Sequence, residues 1–299
     1  MKVFSFTVIL IQLLNKVSAL LPDKLFLKWQ FKLRMGYSLD LERPKPLSEK
    51  IQWLKLFNRN PKYTNLVDKY EVKSIVSKKI GTGHIIPTIG IWDTPEEIDF
   101  ECLPNQFVLK TTHGGGSNGV VICTNKSELD KELTINKLKN SLKQDIFKDF
   151  REWPYKNVKK RILAEQYMSQ EDGSPLIDYK FFCFNGFPKY VYVSQNIPGV
   201  KRQLSCFLTM NWEIAPFKKQ SDEFAFLTPL KPVTFDKMRD IALKLCEGIP
   251  FLRVDLYEIN GQVYFSELTF YPSSGMQPYE PQEWDYKLGE LLILPQKRE

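Results

Sequence analysis

The sequence predicts an α+β protein with largely antiparallel sheets. Helical apolar spacing dominates the first 84 residues, and the strand-like runs that follow do not alternate regularly with helices. Residues 251–267, FLRVDLYEINGQVYFSE, fold back at Asn260-Gly261, a strong hairpin signal between β-branched and aromatic runs.

Residues 25–37 and 47–57 carry helical spacing and are separated by Pro44-Lys45-Pro46. Ser48 stands where it would cap the second helix, and Trp53 and Phe57, four apart, read as core. A further helix is expected from Asp68 toward Ile80, ended by the turn at residues 81–83. Strands are expected at residues 85–92, 107–109, 120–123, 162–167, 178–184 and 189–195. Basic residues collect between 126 and 161, where helical periodicity and interspersed acids read as a solvated helix face; the functional alternative is a landing surface for a polyanion or an anionic lipid leaflet. Residues 235–247 read as a helix covering the sheet.

The 299 residues are 43% apolar and 13% aromatic, enough for an ordinary core and against disorder. The net charge of +7 is modest and no recognised nucleic-acid module accompanies it, so nucleic acid is not an expected partner. Cys102, Cys123, Cys183, Cys206 and Cys246 are scattered without metal or disulfide spacing and read as small core residues in a reducing cytoplasm. Residues 1–20 imitate a secretory signal, but the apolar run is broken by Gln12 and too short to span a bilayer. A helix packed on the body is expected first, and peripheral contact with the inner membrane surface second.

Two segments carry chemistry. In residues 107–123, FVLKTTHGGGSNGVVIC, Lys110 ends an apolar strand and a glycine loop follows. Gly114, Gly115, Gly116 and Gly119 let backbone N–H groups approach phosphate oxygens, with Ser117 and Asn118 as further donors. No Gly-Lys-Ser/Thr follows and no GxGxxG opens a helix, so this is not a common nucleotide loop, and a mobile hairpin turn is the bland alternative. His113 beside it either touches phosphate or bonds locally. In the closing hairpin, counting outward from the turn lets Asp255 and Glu267 share a face, where adjacent carboxylates call for a cation such as Mg²⁺. Arg253 shares the parity of Asp255 and suits a phosphoryl group or oxyanion. A solvated acidic face is the bland alternative here.

Together these segments resemble the ATP-grasp superfamily. More specifically, PKPLSEKIQWLKL, DKYEVK, FVLKTTHGGGSNG, DYKFFCFNG and RVDLYEINGQVYFSELTFYPSSGM, in that order, resemble the TupA-like ATP-grasp family of bacterial surface-polysaccharide gene clusters. The resemblance implies two mixed or antiparallel sheet lobes enclosing ATP. Residues 1–84 would be a helical region leading into the nucleotide site, 85–168 the lobe with lid and hinge, and 169–299 the lobe with the magnesium hairpin. It implies Lys69 and Lys110 on the phosphates, and Glu165, Gln166, Tyr167 and Met168 at the adenine edge. Asp178 falls at the ribose and phosphate, Asp255 and Glu267 at Mg²⁺, and Lys180 and Arg253 at the reaction centre. Thr269 stands where many relatives have asparagine, replacing an amide oxygen by a hydroxyl at the second metal position.

The implied activity is carboxylate–amine ligation through an acyl phosphate, joining an amino acid to a uronic-acid sugar of a capsule or O-antigen precursor in the cytoplasm. A glycosyltransferase is the first alternative, against which no DxD is present; a sugar phosphotransferase and a non-catalytic assembly protein are the others. Residues 201–230, including Arg202, Trp212 and Phe217, are candidates for the acceptor pocket from their position.

Overall fold

Apolar residues three and four apart close the N-terminal helices of the computed structural model, which describes residues 2–116, 118–196, 203–225 and 227–297. These are α1 (Lys2–Lys16), α2 (Asp23–Met35), α3 (Leu47–Phe57), α4 (Lys62–Val67) and α5 (Glu71–Ile80). A four-stranded sheet follows, ordered β1 (Thr88–Trp92), β4 (Ile162–Gln166), β2 (Phe107–Thr111), β3 (Val120–Cys123), with α6 (Lys131–Leu142) and α7 (Ile146–Phe150) inserted before β4. A five-stranded sheet is ordered β10 (Gln262–Thr269), β9 (Phe251–Ile259), β5 (Asp178–Phe184), β6 (Phe187–Asn196), β7 (Gln203–Thr209), and is covered by α8 (Phe235–Cys246). A small ladder of β8 (Lys218–Lys219) and β11 (Tyr279–Glu280) precedes α9 (Glu283–Leu291). Every ladder between these strands is antiparallel, as the non-alternating order predicts.

The two sheets have separate cores. Phe107, Leu109, Ile162, Ala164 and Leu138 fill the smaller; Phe181, Val254, Leu256, Met238 and Ile241 belong to the larger, which also takes Phe26, Phe31 and Leu54 from the N-terminal helices. The Asn260-Gly261 turn places both residues at positive φ, 51° and 74°, as a tight hairpin with native strand twist requires.

Local expectations fail where a tertiary partner intervenes. Ser48 does not cap α3. Its amide and hydroxyl instead donate to the Asp285 carboxylate on α9, at 3.0 and 2.5 Å, so a distant acid satisfies the helix start. The helix expected from Asp68 toward Ile80 is α5 and starts at Glu71, because Asp68 is extended, ends the separate helix α4, and accepts the amides of Tyr70 and Glu71 on its Oδ1. Cys102 is exposed while the other four cysteines are buried. The basic stretch is not wholly a solvated face: Arg151 is buried over the Phe26 ring and paired with Asp23. Helix α1 packs on α2 and buries Leu14, but Val8, Ile9 and Leu13 are exposed.

Candidate active site

Strand register builds the acid face. Lys180 of β5 lies beside Asp255 of β9, which lies beside Glu267 of β10, and Arg253 lies beside Thr269. The count from the turn that puts Asp255 and Glu267 on one face is mistaken: unbroken pairing sets Ser266 opposite Asp255 and aims Glu267 at the apolar face. A β-bulge between Phe265 and Glu267 inserts Ser266 and restores Glu267 to the face of Asp255. The juxtaposition expected from sequence is present, and an irregularity that counting does not contain produces it. Residues 252, 254 and 256, of opposite parity, are buried leucine and valine.

Arg253 lies between the two acids. Its Nε and Nη2 donate to the two oxygens of Asp255 at 2.7 and 2.6 Å, and Nη2 also to Glu267 Oε1 at 2.9 Å. Lys180 pairs with Asp178 and lies 3.9 Å from Asp255. Thr269 donates its hydroxyl to Glu267 Oε1 at 3.2 Å. Burial pushes Asp255 up, to about 7, against the pull of Arg253 and with the charges of Asp178 and Glu267 adding to the rise. For Glu267 burial acts upward too, but Lys69, Arg253 and Lys180 outweigh it and hold the group down at about 2.

Among the described residues no group of three or more His, Cys, Asp or Glu converges as a metal cage. Two adjacent carboxylates with a supporting hydroxyl still fit Mg²⁺, which takes one or two carboxylates and completes its shell with substrate phosphate and water. On the same face Asp178 Oδ1 is buried and, among the described residues, has no hydrogen-bond partner. Asp255, Glu267 and Thr269 would hold the ion.

Lys69 joins this face to the glycine loop. Its Nζ donates to the Gly114 carbonyl at 2.5 Å and lies 3.4 Å from Glu267 Oε2, and its amide donates to the Thr112 carbonyl. On the smaller sheet Lys110 pairs with buried Glu165, whose other oxygen holds Lys73 at 2.6 Å. Glu165 therefore aims at two lysines rather than at an adenine edge. Gln166 and Tyr167 continue past it and line a cleft of about 530 Å³ with Pro87, Ile89, Pro104, Asn105 and Gln106; Met168 follows, half-buried.

The TupA-like ATP-grasp pattern matches residues 49–293. The chain belongs to that family. No curated protein matches it by sequence. Solved structures it is similar to include D-alanine–D-alanine ligase from Helicobacter pylori, at 16% identity and TM-score 0.41, covering 76% of this chain and 61% of that one. The corresponding ligase from Bacillus anthracis, complexed with ATP, gives 13% and 0.40, covering 74% and 57%. The ATP-grasp ligase PsnB, with a phosphomimetic precursor variant, Mg and ADP, gives 8% and 0.43, covering 82% and 64%. The chain spans about three fifths of the length of these proteins.

In this ATP-grasp protein the loop has a fixed base. A Cβ on Gly114 or Gly119 would collide with Thr111 Oγ1, and one on Gly119 also with Ser141 Oγ; those hydroxyls bond each other at 2.8 Å and tie the loop to α6. Gly115, Gly116 and Asn118 are exposed, and Ser117 lies outside the described residues. His113 is buried under the loop, and among the described residues neither ring nitrogen has a hydrogen-bond partner. Burial, with Lys160 and Lys69 adding, lowers it to about 4. A histidine buried neutral favours the unfolded chain once that chain's imidazole protonates. Stability is therefore complete above about 6.5 and falls as pH drops toward 4, by up to about 3 kcal/mol. Urea midpoints measured across that window should show this slope, and His113→Leu should flatten it; an unchanged slope would refute the assignment.

Sequence reasoning missed Lys73, although it lies inside DKYEVK, and missed Arg161. Arg161 pairs with Asp68 at 3.1 Å and Glu71 at 2.8 Å and so fixes the segment carrying Lys69. The acceptor candidates Trp212 and Phe217 are core residues: Trp212 Nε1 donates to the Pro229 carbonyl at 2.8 Å, and Phe217 stacks on Phe207 and Trp284. Arg202 lies outside the described residues.

Proposed function

We propose that this protein is an ATP- and Mg²⁺-dependent carboxylate–amine ligase acting through an acyl phosphate. The observation that carries the reading is Lys69, which connects the glycine loop to the Asp255–Glu267–Arg253 face. A carboxylate oxygen of the acceptor attacks the γ-phosphorus of ATP as the bond to ADP breaks. An amine then attacks the acyl phosphate carbon, phosphate leaves, and the nitrogen loses a proton to form the amide. Mg²⁺ would neutralise charge on the phosphates. Lys69, Lys110 and the loop amides take the remaining phosphate charge, and Arg253, drawn from its two acids toward a phosphoryl group, stabilises the acyl phosphate. The loop excludes water, whose attack on the acyl phosphate is the main side reaction.

The finer substrate assignment is a uronic-acid sugar joined to an amino acid in capsule or O-antigen biosynthesis; it is supported by the family resemblance. The protein incubated with Mg-ATP, uronic-acid sugar nucleotides and pooled amino acids should yield ADP and a sugar heavier by one amino acid less water, read by mass spectrometry. A phosphorylated sugar would replace this reading with a phosphotransferase, and no ADP with any acceptor would count against catalysis.

A second reading concerns location. Residues 2–35 carry six basic side chains and one acid, a net +5 of the chain's +7, and that acid, Asp23, is engaged by Arg59 and Arg151. Val8, Ile9, Leu13, Val17 and Leu20 are exposed along α1 and its end, and Leu25 and Trp29 stand among exposed Lys24, Lys28 and Lys32 on α2. We infer peripheral contact with an anionic leaflet, since a second copy would oppose two like-charged faces. Among the described residues no helix is long and apolar enough to cross a membrane. The protein should float with vesicles of phosphatidylcholine and phosphatidylglycerol but not with phosphatidylcholine alone. Leu13→Glu with Trp29→Glu should abolish flotation; failure of the parent protein to float with the anionic vesicles removes the inference.

A further inference from the structure

The polar face of the larger sheet does not stop at the strand carrying Lys180. One strand further, register sets Tyr192 beside Lys180 and Ser194 beside Asp178; beyond them lie Phe207 and Ser205 of β7. The Ser194 and Ser205 hydroxyls bond each other at 2.8 Å, and Tyr192 donates its hydroxyl to Asp222 Oδ2 at 3.0 Å. Over this patch β8 brings Lys219, whose Nζ stands 3.5 Å from the centroid of the Tyr192 ring.

Lys219 differs from the other lysines of the site. Lys180 pairs with Asp178, Lys69 with Glu267, Lys110 and Lys73 with Glu165, and the adjacent Lys218 with Glu280. Among the described residues Lys219 has no ion pair within 4 Å, although it is half-buried and the charges of Asp222, Arg253, Lys180 and Asp255 all reach it. Burial lowers it to about 8; Asp222 and Asp255 oppose the shift, and Arg253 and Lys180 reinforce it. A partly desolvated ammonium without a counter-ion is costly, and an aromatic face offsets only part of that cost. An anion arriving beside Lys180 would offset the rest. Ligand phosphate has other cations on this face, whereas the acid that phosphate must meet has none assigned to it.

We propose that Lys219, with Tyr192 and the Ser194–Ser205 pair, forms the subsite that binds the carboxylate-bearing acceptor beside the phosphoryl site. This rests on the ligase reading above. Lys219 holds one carboxylate oxygen and leaves the other directed at the γ-phosphorus, while the serine hydroxyls meet the neutral polar part of the acceptor. Lys219 therefore acts in binding the acid and takes no proton in the reaction.

The test is reductive methylation of the whole protein with formaldehyde and a borane near neutral pH, each lysine followed by peptide mass mapping. Glucuronate is the probe, with glucose and equal sodium chloride as controls, and Mg-ADP is added separately. Glucuronate should slow labelling of Lys219 at least about fivefold and glucose should not; Mg-ADP should slow Lys69 and Lys110. Mg-ADP protection of Lys69 and Lys110 without glucuronate protection of Lys219 overturns the subsite and leaves the ligase reading standing. Equal protection of Lys219 by glucose, or its protection by Mg-ADP alone, also overturns the subsite. Failure of Mg-ADP to protect Lys69 and Lys110 counts instead against the nucleotide cleft. With an accepted acid in hand, Lys219→Gln should raise its KM roughly tenfold or more, as expected for loss of a charged hydrogen bond. The KM for ATP should stay within about twofold, and Lys219→Arg should recover part of the loss; equal effects on both KM values would mean a merely structural role.

Discussion

Glu267→Gln should lower turnover at saturating ATP by roughly a hundred- to a thousandfold, the loss typical of removing one charged contact at a reaction centre. The substitution keeps the shape of the side chain and an oxygen for Thr269 and Arg253, which lie 3.2 and 2.9 Å away, and it removes the charge that Lys69 faces at 3.4 Å. Because Glu267 is held down at about 2, the parent carboxylate is ionised at every working pH, so the comparison is of charge against no charge. Affinity for ADP without magnesium should change by less than about threefold, whereas the magnesium dependence of ADP release should be lost. Turnover within about threefold of the parent would sink the assignment. Stability supplies an independent check with a definite sign. A carboxylate depressed in the folded state stabilises it above its ordinary value near 4.5, and that contribution disappears as pH falls toward 2. Any deficit of Glu267→Gln should therefore shrink at low pH. Asp255→Asn is the less clean variant, since it breaks a bidentate pair at a side chain 1% exposed and should cost about 3 kcal/mol of folding besides activity.

Much of this face is legible in sequence because its signals are local. Asn260-Gly261 fixes the hairpin, and the apolar partners of alternating parity fix which side is polar. The bulge at Ser266 is not legible, since a serine in a strand carries no mark of being unpaired, yet without it Glu267 would face the core. Arg253 between two acids is half legible: parity places it on the face, but only the folded register shows that it bridges both. The role of Glu165 is not legible, because its partners Lys73 and Lys110 arrive from α5 and β2. Ser48 shows the converse. A capping residue at the right spacing is overruled by a buried aspartate from the last helix, which no local pattern announces. Charge count likewise does not separate Arg151, buried against Phe26, from its solvated neighbours.

Lys110→Ala should raise the KM for ATP roughly ten- to a hundredfold and also lower stability, and the two effects can be separated. Glu165 is buried, and burial alone would raise its pKa; Lys110 and Lys73 outweigh that and keep it ionised. Removing Lys110 leaves a buried carboxylate with one cation at 2.6 Å. The folding cost should then be about 1–3 kcal/mol, below the 3–5 kcal/mol that follows when a buried charge is left with no partner. Neutralising the acid as well, in Lys110→Ala/Glu165→Gln, removes the unbalanced charge and should recover most of that stability. It should not recover ATP binding, because the ammonium at the end of β2 beside the glycine loop is still missing. Denaturation midpoints and nucleotide affinity measured on the parent, both single variants and the double variant close the cycle. If ATP binding recovers together with stability, Lys110 is only a structural partner of Glu165 and the phosphate charge must be met elsewhere. If stability recovers and binding does not, Lys110 faces the nucleotide and Glu165 serves to hold it there.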